Sequence, residues 1–120
     1  MSRHVAQSFL TPYSISKGAV ATMTRNAANA MMRHRIRVNG LNIGWMESDQ
    51  EKALHAALSH DENWFAESAK KLPSGRLIQP AEVARAIAFL CSDESGLLTG
   101  EMINFDQTIW GANESPPSAV

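Results

Sequence analysis

Cysteine is almost absent from this 120-residue sequence: Cys91 stands alone, so no internal disulfide framework can staple the chain. Charge of one sign is missing as well. Eleven Lys and Arg against twelve Asp and Glu leave a net charge of −1, and with it no global field to draw nucleic acid or an anionic membrane. Long apolar runs are lacking: the longest, Ala86 to Cys91, is far short of the about 20 residues that span a bilayer. The opening Met1-Ser2-Arg3-His4 has charge but no apolar stretch behind it, unlike a secretory signal. These absences predict a cytoplasmic protein in a reducing setting, with neither nucleic acid nor membrane as partner. The apolar share of 44% includes 17 alanines, so bulky core side chains are fewer than that share suggests, and the length suits one domain rather than two.

No internal repeat interrupts the body, expected over residues 1–111, and residues 112–120, with Pro116-Pro117, read as a flexible tail. Residues 12–33 place Val20, Met23, Ala27, Ala30 and Met31 at helical spacing behind Pro12, whose missing N–H suits a first helical turn. Residues 36–43 alternate apolar and polar side chains up to Gly44 and predict a strand. The pattern weakens over 48–71, where 51–58 and 64–69 read as short helices of a lid outside the main layer. A second clear helix is predicted over 80–91, with Glu82 in its first turn and Val83, Ile87, Leu90 and Cys91 on one stripe. Gln79 is a poor cap for it, and Cys91 reads as a small buried hydrophobe. Thr99-Gly100 marks a turn before a strand over 101–106. Two strands joined through a helix lie parallel, and two parallel strands alone cannot cover both faces of a sheet, so the pattern is half of a larger α/β domain.

Tyr13 and Lys17 stand four residues apart at the start of the long helix, which projects both from one face. An ammonium beside a phenol favours the phenolate, and a tyrosine so poised can exchange a proton with an alcohol or carbonyl. Spacing alone is a weak signal and better suits a partly buried tyrosine and a solvated lysine. Arg25, Arg33, His34, Arg35 and Arg37 form a basic cluster able to meet phosphates, but no aromatics interleave with it, and cations gather at helix C-termini through the dipole. His55, His60, Asp61 and Glu62 lack the paired spacing of a metal site, and no metal is expected.

Tyr13-Ser14-Ile15-Ser16-Lys17, followed by Gly18-Ala19-Val20, resembles the Tyr-x-x-x-Lys helix of the short-chain dehydrogenases/reductases. Further matches come in order: Arg37 to Trp45 resembles the strand and loop that end in Asn-x-Pro-Gly, and Gly75-Arg76-Leu77, Pro80 to Ser95 and Leu98 to Glu101 resemble the family's last helix and its approach to the last strand. The resemblance, over about residues 12–106, implies the C-terminal part of a Rossmann-like doubly wound parallel sheet and an oxidoreductase that uses NAD or NADP on a small alcohol or carbonyl, a sugar or polyol among the options. It implies Tyr13 as general acid/base and Lys17 as the group that holds the nicotinamide ribose and assists that tyrosine. It also implies that the loop after Gly44 touches the carboxamide through a backbone group of Met46 and the hydroxyl of Ser48, which stands where the family usually has Thr. Trp64, Phe65 and His55 either line a substrate pocket or pack the lid down.

Several departures accompany the matches. No Gly-x-Gly-x-x-Gly turn occurs in these 120 residues, and Gly40 and Gly44 precede no helix at the needed spacing. The family's carbonyl-polarising serine is expected about 13 residues before Tyr13, just ahead of Met1; Ser2 and Ser8 are poor substitutes. Ile43 replaces a proline before Gly44, and Asp106-Gln107-Thr108 stands where Asp-Gly-Gly is usual. The expectation is a C-terminal half, weakly active or inactive alone. The competing expectation is a non-catalytic association module that pairs with itself, as a homo-oligomer, or with an N-terminal half.

Overall fold

The computed structural model describes residues 8–58 and 63–109, so the expected tail at 112–120, together with Ser2, His60, Asp61 and Glu62, lies outside the described residues. Helix α1, Thr11–Met31, opens with Pro12 in its first turn and ends in a 3-10 turn, Met32–His34, where Arg35 adopts a left-handed backbone (φ 58°) and reverses the chain. Its buried stripe is Ala21, Thr24 and Ala28, while the larger Val20 and Met23 of the sequence pattern are exposed. Close approach explains the difference. A Cβ on Gly40 would sit 3.7 Å from Thr24 Oγ1, and one on Gly100 (φ 78°) would sit 3.5 Å from the Ala28 Cβ, so small residues on both sides let the helix lie down on the strands.

Strands β1, Gly40–Ile43, and β2, Met102–Phe105, pair in parallel, with Gly40 opposite Met102 and Ile43 opposite Phe105. Asn42 Nδ2 donates to Asn104 Oδ1 across the pair at 3.0 Å. The structure starts β1 at Gly40, four residues later than the alternation predicts. Before that point the bonds go to a turn rather than a strand: the Val38 N–H donates to Thr99 Oγ1 (3.0 Å), and the Asn39 amide donates to the Leu98 carbonyl (2.7 Å). Past Gly44 the ladder resumes as a bridge between Met46 and Ile78. The excursion between the strands holds two short helices, α2, Asp49–Ala57, and α3, Trp64–Lys70.

Helix α4, Pro80–Cys91, buries Val83 beside Leu77 and Ile78. Gln79 and Glu82 form a capping box at its start; the Gln79 side-chain amide also donates to Glu47 (2.8 Å), and the Glu82 carboxylate reaches back to accept the Gln79 N–H at 2.9 Å. The same carboxylate takes a two-pronged grip from Arg76, both contacts 2.7 Å. Cys91 is exposed rather than buried, because nothing among the described residues covers that end of the α4 stripe, where Ile87 is also about half exposed. Arg37, read in the sequence as part of a basic cluster, is committed to structure. It donates to the carbonyls of Leu90 and Ser92, both at 2.8 Å, and to Ser95 Oγ, so it caps α4 and ties it to the approach to β1.

Two stability predictions follow from these ties. Arg37→Ala strips several part-buried acceptors of a charged donor, and urea unfolding should show a loss of about 2 kcal/mol. The Arg76 guanidinium, and after it the Gln79 N–H, hold the Glu82 carboxyl down to about 2. The unfolded chain therefore takes up the proton first, and the contribution of Glu82 is whole above the ordinary carboxylate range and drains away as pH falls toward 2. Melting temperature should decline over that acid window, and Glu82→Gln should flatten the decline.

Candidate functional site

The N-terminal turns of α1 and the carboxyl end of β1 converge on a cleft of about 350 Å³. Crevices at the carboxyl ends of parallel strands are where ligands sit in α/β sheets, and the volume lies at the lower end of small-ligand sites. Tyr13, Lys17, Gly44, Met46 and Ser48 all line it, so the structure brings together all five residues named from the sequence.

Tyr13 is about half exposed, its carbonyl accepting the Ser16 hydroxyl one turn along. Lys17 shares its face, with Nζ over the phenol ring 5.3 Å from the centroid. A cation–π contact at such an exposed site is worth about 0.5–1 kcal/mol, enough to bias the lysine rotamer and too little to lock it, so the ammonium can swing to a ligand.

Backbone geometry decides what the loop offers. In the bridge to Ile78, the Trp45 carbonyl and the Glu47 N–H bond the Ile78 backbone (3.1 and 2.8 Å). Alternation along an extended segment then turns the Met46 N–H to the side away from Ile78. The chain tightens next, the Ser48 N–H donating to the Met46 carbonyl at 3.0 Å. Ser48 is the N-cap of α2: its Oγ accepts the Glu51 N–H at 3.2 Å, which uses a lone pair and leaves the hydroxyl hydrogen to donate elsewhere. The cleft thus gathers an ammonium and a hydroxyl beside the Trp45 indole and the backbone of β1 and its following loop.

Gly44 sits where no side chain fits. A Cβ there would collide with the Asp106 carboxylate, whose Oδ1 closes the turn after β2 by accepting the N–H groups of Gln107 (2.8 Å) and Thr108 (3.3 Å). The other oxygen of Asp106 is buried and has no partner among the described residues.

The lid residues pack on one another. His55 stacks on Trp64 with centroids 4.0 Å apart, and Phe65 meets both edge-on. Trp45 closes the cluster at 5.5 Å from Trp64 and alone among them lines the cleft. Sequence reasoning missed Glu51, which lines the cleft and holds Trp45 and His55 through Oε1 (2.8 and 3.2 Å). The signal was present, since Ser48-Asp49-Gln50-Glu51 fits the capping-box pattern and so fixes Glu51 in the first turn of a helix. Ser8, a poor candidate for the polarising serine, lies exposed in the 3-10 turn before α1. No group of three or more metal-binding side chains occurs among the described residues, and no helix among them is long and apolar enough to cross a membrane.

Comparison with known proteins places this geometry. The family model described as Enoyl-(Acyl carrier protein) reductase matches residues 1–107. The chain is 34% identical over 106 residues to 5-keto-D-gluconate 5-reductase of Escherichia coli, a match covering 88% of this chain and 40% of that protein. It is 35% identical over 102 residues to galactitol 2-dehydrogenase of Rhizobium johnstonii, covering 83% of this chain and 38% of that one. An NADPH-bound short chain oxidoreductase of Pseudomonas aeruginosa, described as containing an atypical catalytic center, superimposes with a TM-score of 0.70 at 34% identity, over 83% of this chain and 39% of that one. The chain spans about two fifths of the length of these curated relatives.

The contact between Gly44 and Asp106 yields a prediction for the site. Gly44→Ala should force Asp106 out of its turn and cost about 1–3 kcal/mol, as overpacking does, read as a lowered urea midpoint.

Proposed function

The chain belongs to the short-chain dehydrogenase/reductase family, and from that premise we propose that its cleft serves hydride transfer between NAD or NADP and a small alcohol or carbonyl compound, of the sugar or polyol class. A nicotinamide cofactor, when bound, supplies or takes up the hydride. The protein moves the proton. In the direction of reduction the Tyr13 hydroxyl donates its proton to the oxygen of the carbonyl; in oxidation it receives the proton of the alcohol. Lys17 offsets the negative charge left on Tyr13 and is free to donate to ribose hydroxyls. The Met46 N–H and the Ser48 hydroxyl are the donors suited to a carboxamide oxygen, and Trp45 gives a ring an apolar neighbour.

The observation that carries this reading is the meeting of Tyr13, Lys17 and the Met46–Ser48 segment in one crevice at the carboxyl end of β1. The name of one relative supports the polyol class, a dehydrogenase of galactitol. The alternative of an association module accounts for exposed Ile15 and Met23 on α1 but leaves the cleft and its donors unexplained. The 120 residues contain no glycine-rich pyrophosphate turn, so this polypeptide taken by itself is proposed to bind the nicotinamide end of the cofactor better than it turns over.

Two measurements test the reading. Reduced nicotinamide mononucleotide, which needs no pyrophosphate cradle, should quench tryptophan fluorescence on binding, and Lys17→Ala should weaken it about tenfold, the worth of a charged hydrogen bond. With NADH or NADPH and a panel of ketoses and polyols, absorbance should show slow turnover that Tyr13→Phe lowers about 100-fold or to background. Absence of mononucleotide binding, or turnover indifferent to Tyr13→Phe, would sink the proposal.

A further inference from the structure

The geometry points to Glu51 as a specificity residue that selects an uncharged, hydroxyl-bearing substrate over an anionic one; the inference rests on the oxidoreductase reading of the same cleft. Glu51 lies in the first turn of α2, its N–H held by the Ser48 hydroxyl, so its backbone is fixed to the loop that lines the cleft. Its carboxylate is fixed as well. Oε1 accepts the Trp45 indole N–H at 2.8 Å and meets His55 Nε2 at 3.2 Å. Oε2 has no protein partner among the described residues, and the side chain is 31% exposed, so one oxygen of an immobilised carboxylate remains for a ligand.

An ionised carboxylate only accepts hydrogen bonds. A substrate hydroxyl can donate to it, whereas a substrate carboxylate or phosphate brought to the same place meets like charge in a part-buried setting. Lys52 does not cancel this charge, because it pairs with Glu47 at 2.9 Å, and the other cation of the cleft, Lys17, sits over the Tyr13 ring rather than on Glu51. The Trp45 indole beside Glu51 adds an apolar face for the C–H surface of a polyhydroxylated chain, and the combination of an acceptor with an aromatic platform fits a neutral polyol or ketose. A purely structural role, in which Glu51 only pins Trp45 and His55, makes no distinction by ligand charge.

Sorbitol and gluconate match in carbon number and differ in charge, and the Trp45 indole N–H resonance, identified by its loss in Trp45→Phe, reports on binding without turnover. Sorbitol should shift that resonance with an affinity about tenfold or more above that for gluconate, the value of one hydrogen bond to a charged group. Glu51→Gln keeps an acceptor for the indole N–H and should bring the two affinities within about threefold of each other, at unchanged far-ultraviolet circular dichroism. Equal responses to the two probes, no response to sorbitol, or a preference untouched by Glu51→Gln would each overturn the proposal. Failure here leaves nicotinamide mononucleotide binding and the Tyr13→Phe effect intact; failure of the oxidoreductase reading removes those instead.

Discussion

A short parallel backbone ladder underlies everything in this molecule. From Val38, which accepts the Gly100 N–H at 2.8 Å, to Glu47, which donates to Ile78 at 2.8 Å, nearly every step of the chain through β1 is bonded to a segment far away in sequence. A paired backbone has a fixed phase, and phase decides which groups face the cleft. The Met46 N–H is left unbonded to Ile78 because its neighbours on both sides are taken, and Gly44 is closed to substitution because the ladder sets it against Asp106. The chemistry proposed for Tyr13 needs an opposing surface, and the ladder supplies it.

Much of this was legible in the sequence, for physical reasons that differ by element. Helix α4 shows both its start and its stripe because Pro80 and the spacing of Val83, Ile87 and Leu90 are local signals. The pairing of Tyr13 with Lys17 was legible because helical periodicity alone brings residues four apart together. Ordered motifs were stronger still, since a family resemblance sums many weak local signals over most of the chain.

What escaped the sequence depends on contacts across long separations. Arg37 looks like one cation among several until α4 brings its terminal carbonyls alongside, more than fifty positions later. The start of β1 slipped from Ile36 to Gly40 because Thr99 and Leu98 capture the intervening groups, and side-chain alternation carries no trace of such competition. Cys91 ends an apolar stripe in sequence but lies at the uncovered end of its helix in space. Glu82 shows how a residue outside the expected cap position can do the capping by reaching backwards.

The seat of α1 on the sheet has a mechanical consequence. The helix is held close by Ala21, Thr24 and Ala28, while the phenol it carries stands near its far end. Thr24 and Tyr13 are separated by about 16 Å at 1.5 Å of rise per residue, so the helix is a lever with its fulcrum away from the cleft. A larger residue beneath the fulcrum that tilted the helix by about four degrees would displace the Tyr13 hydroxyl by about 1 Å, a misplacement that can slow a reaction about a hundredfold. The alanines of this chain therefore set reach and aim at a distance.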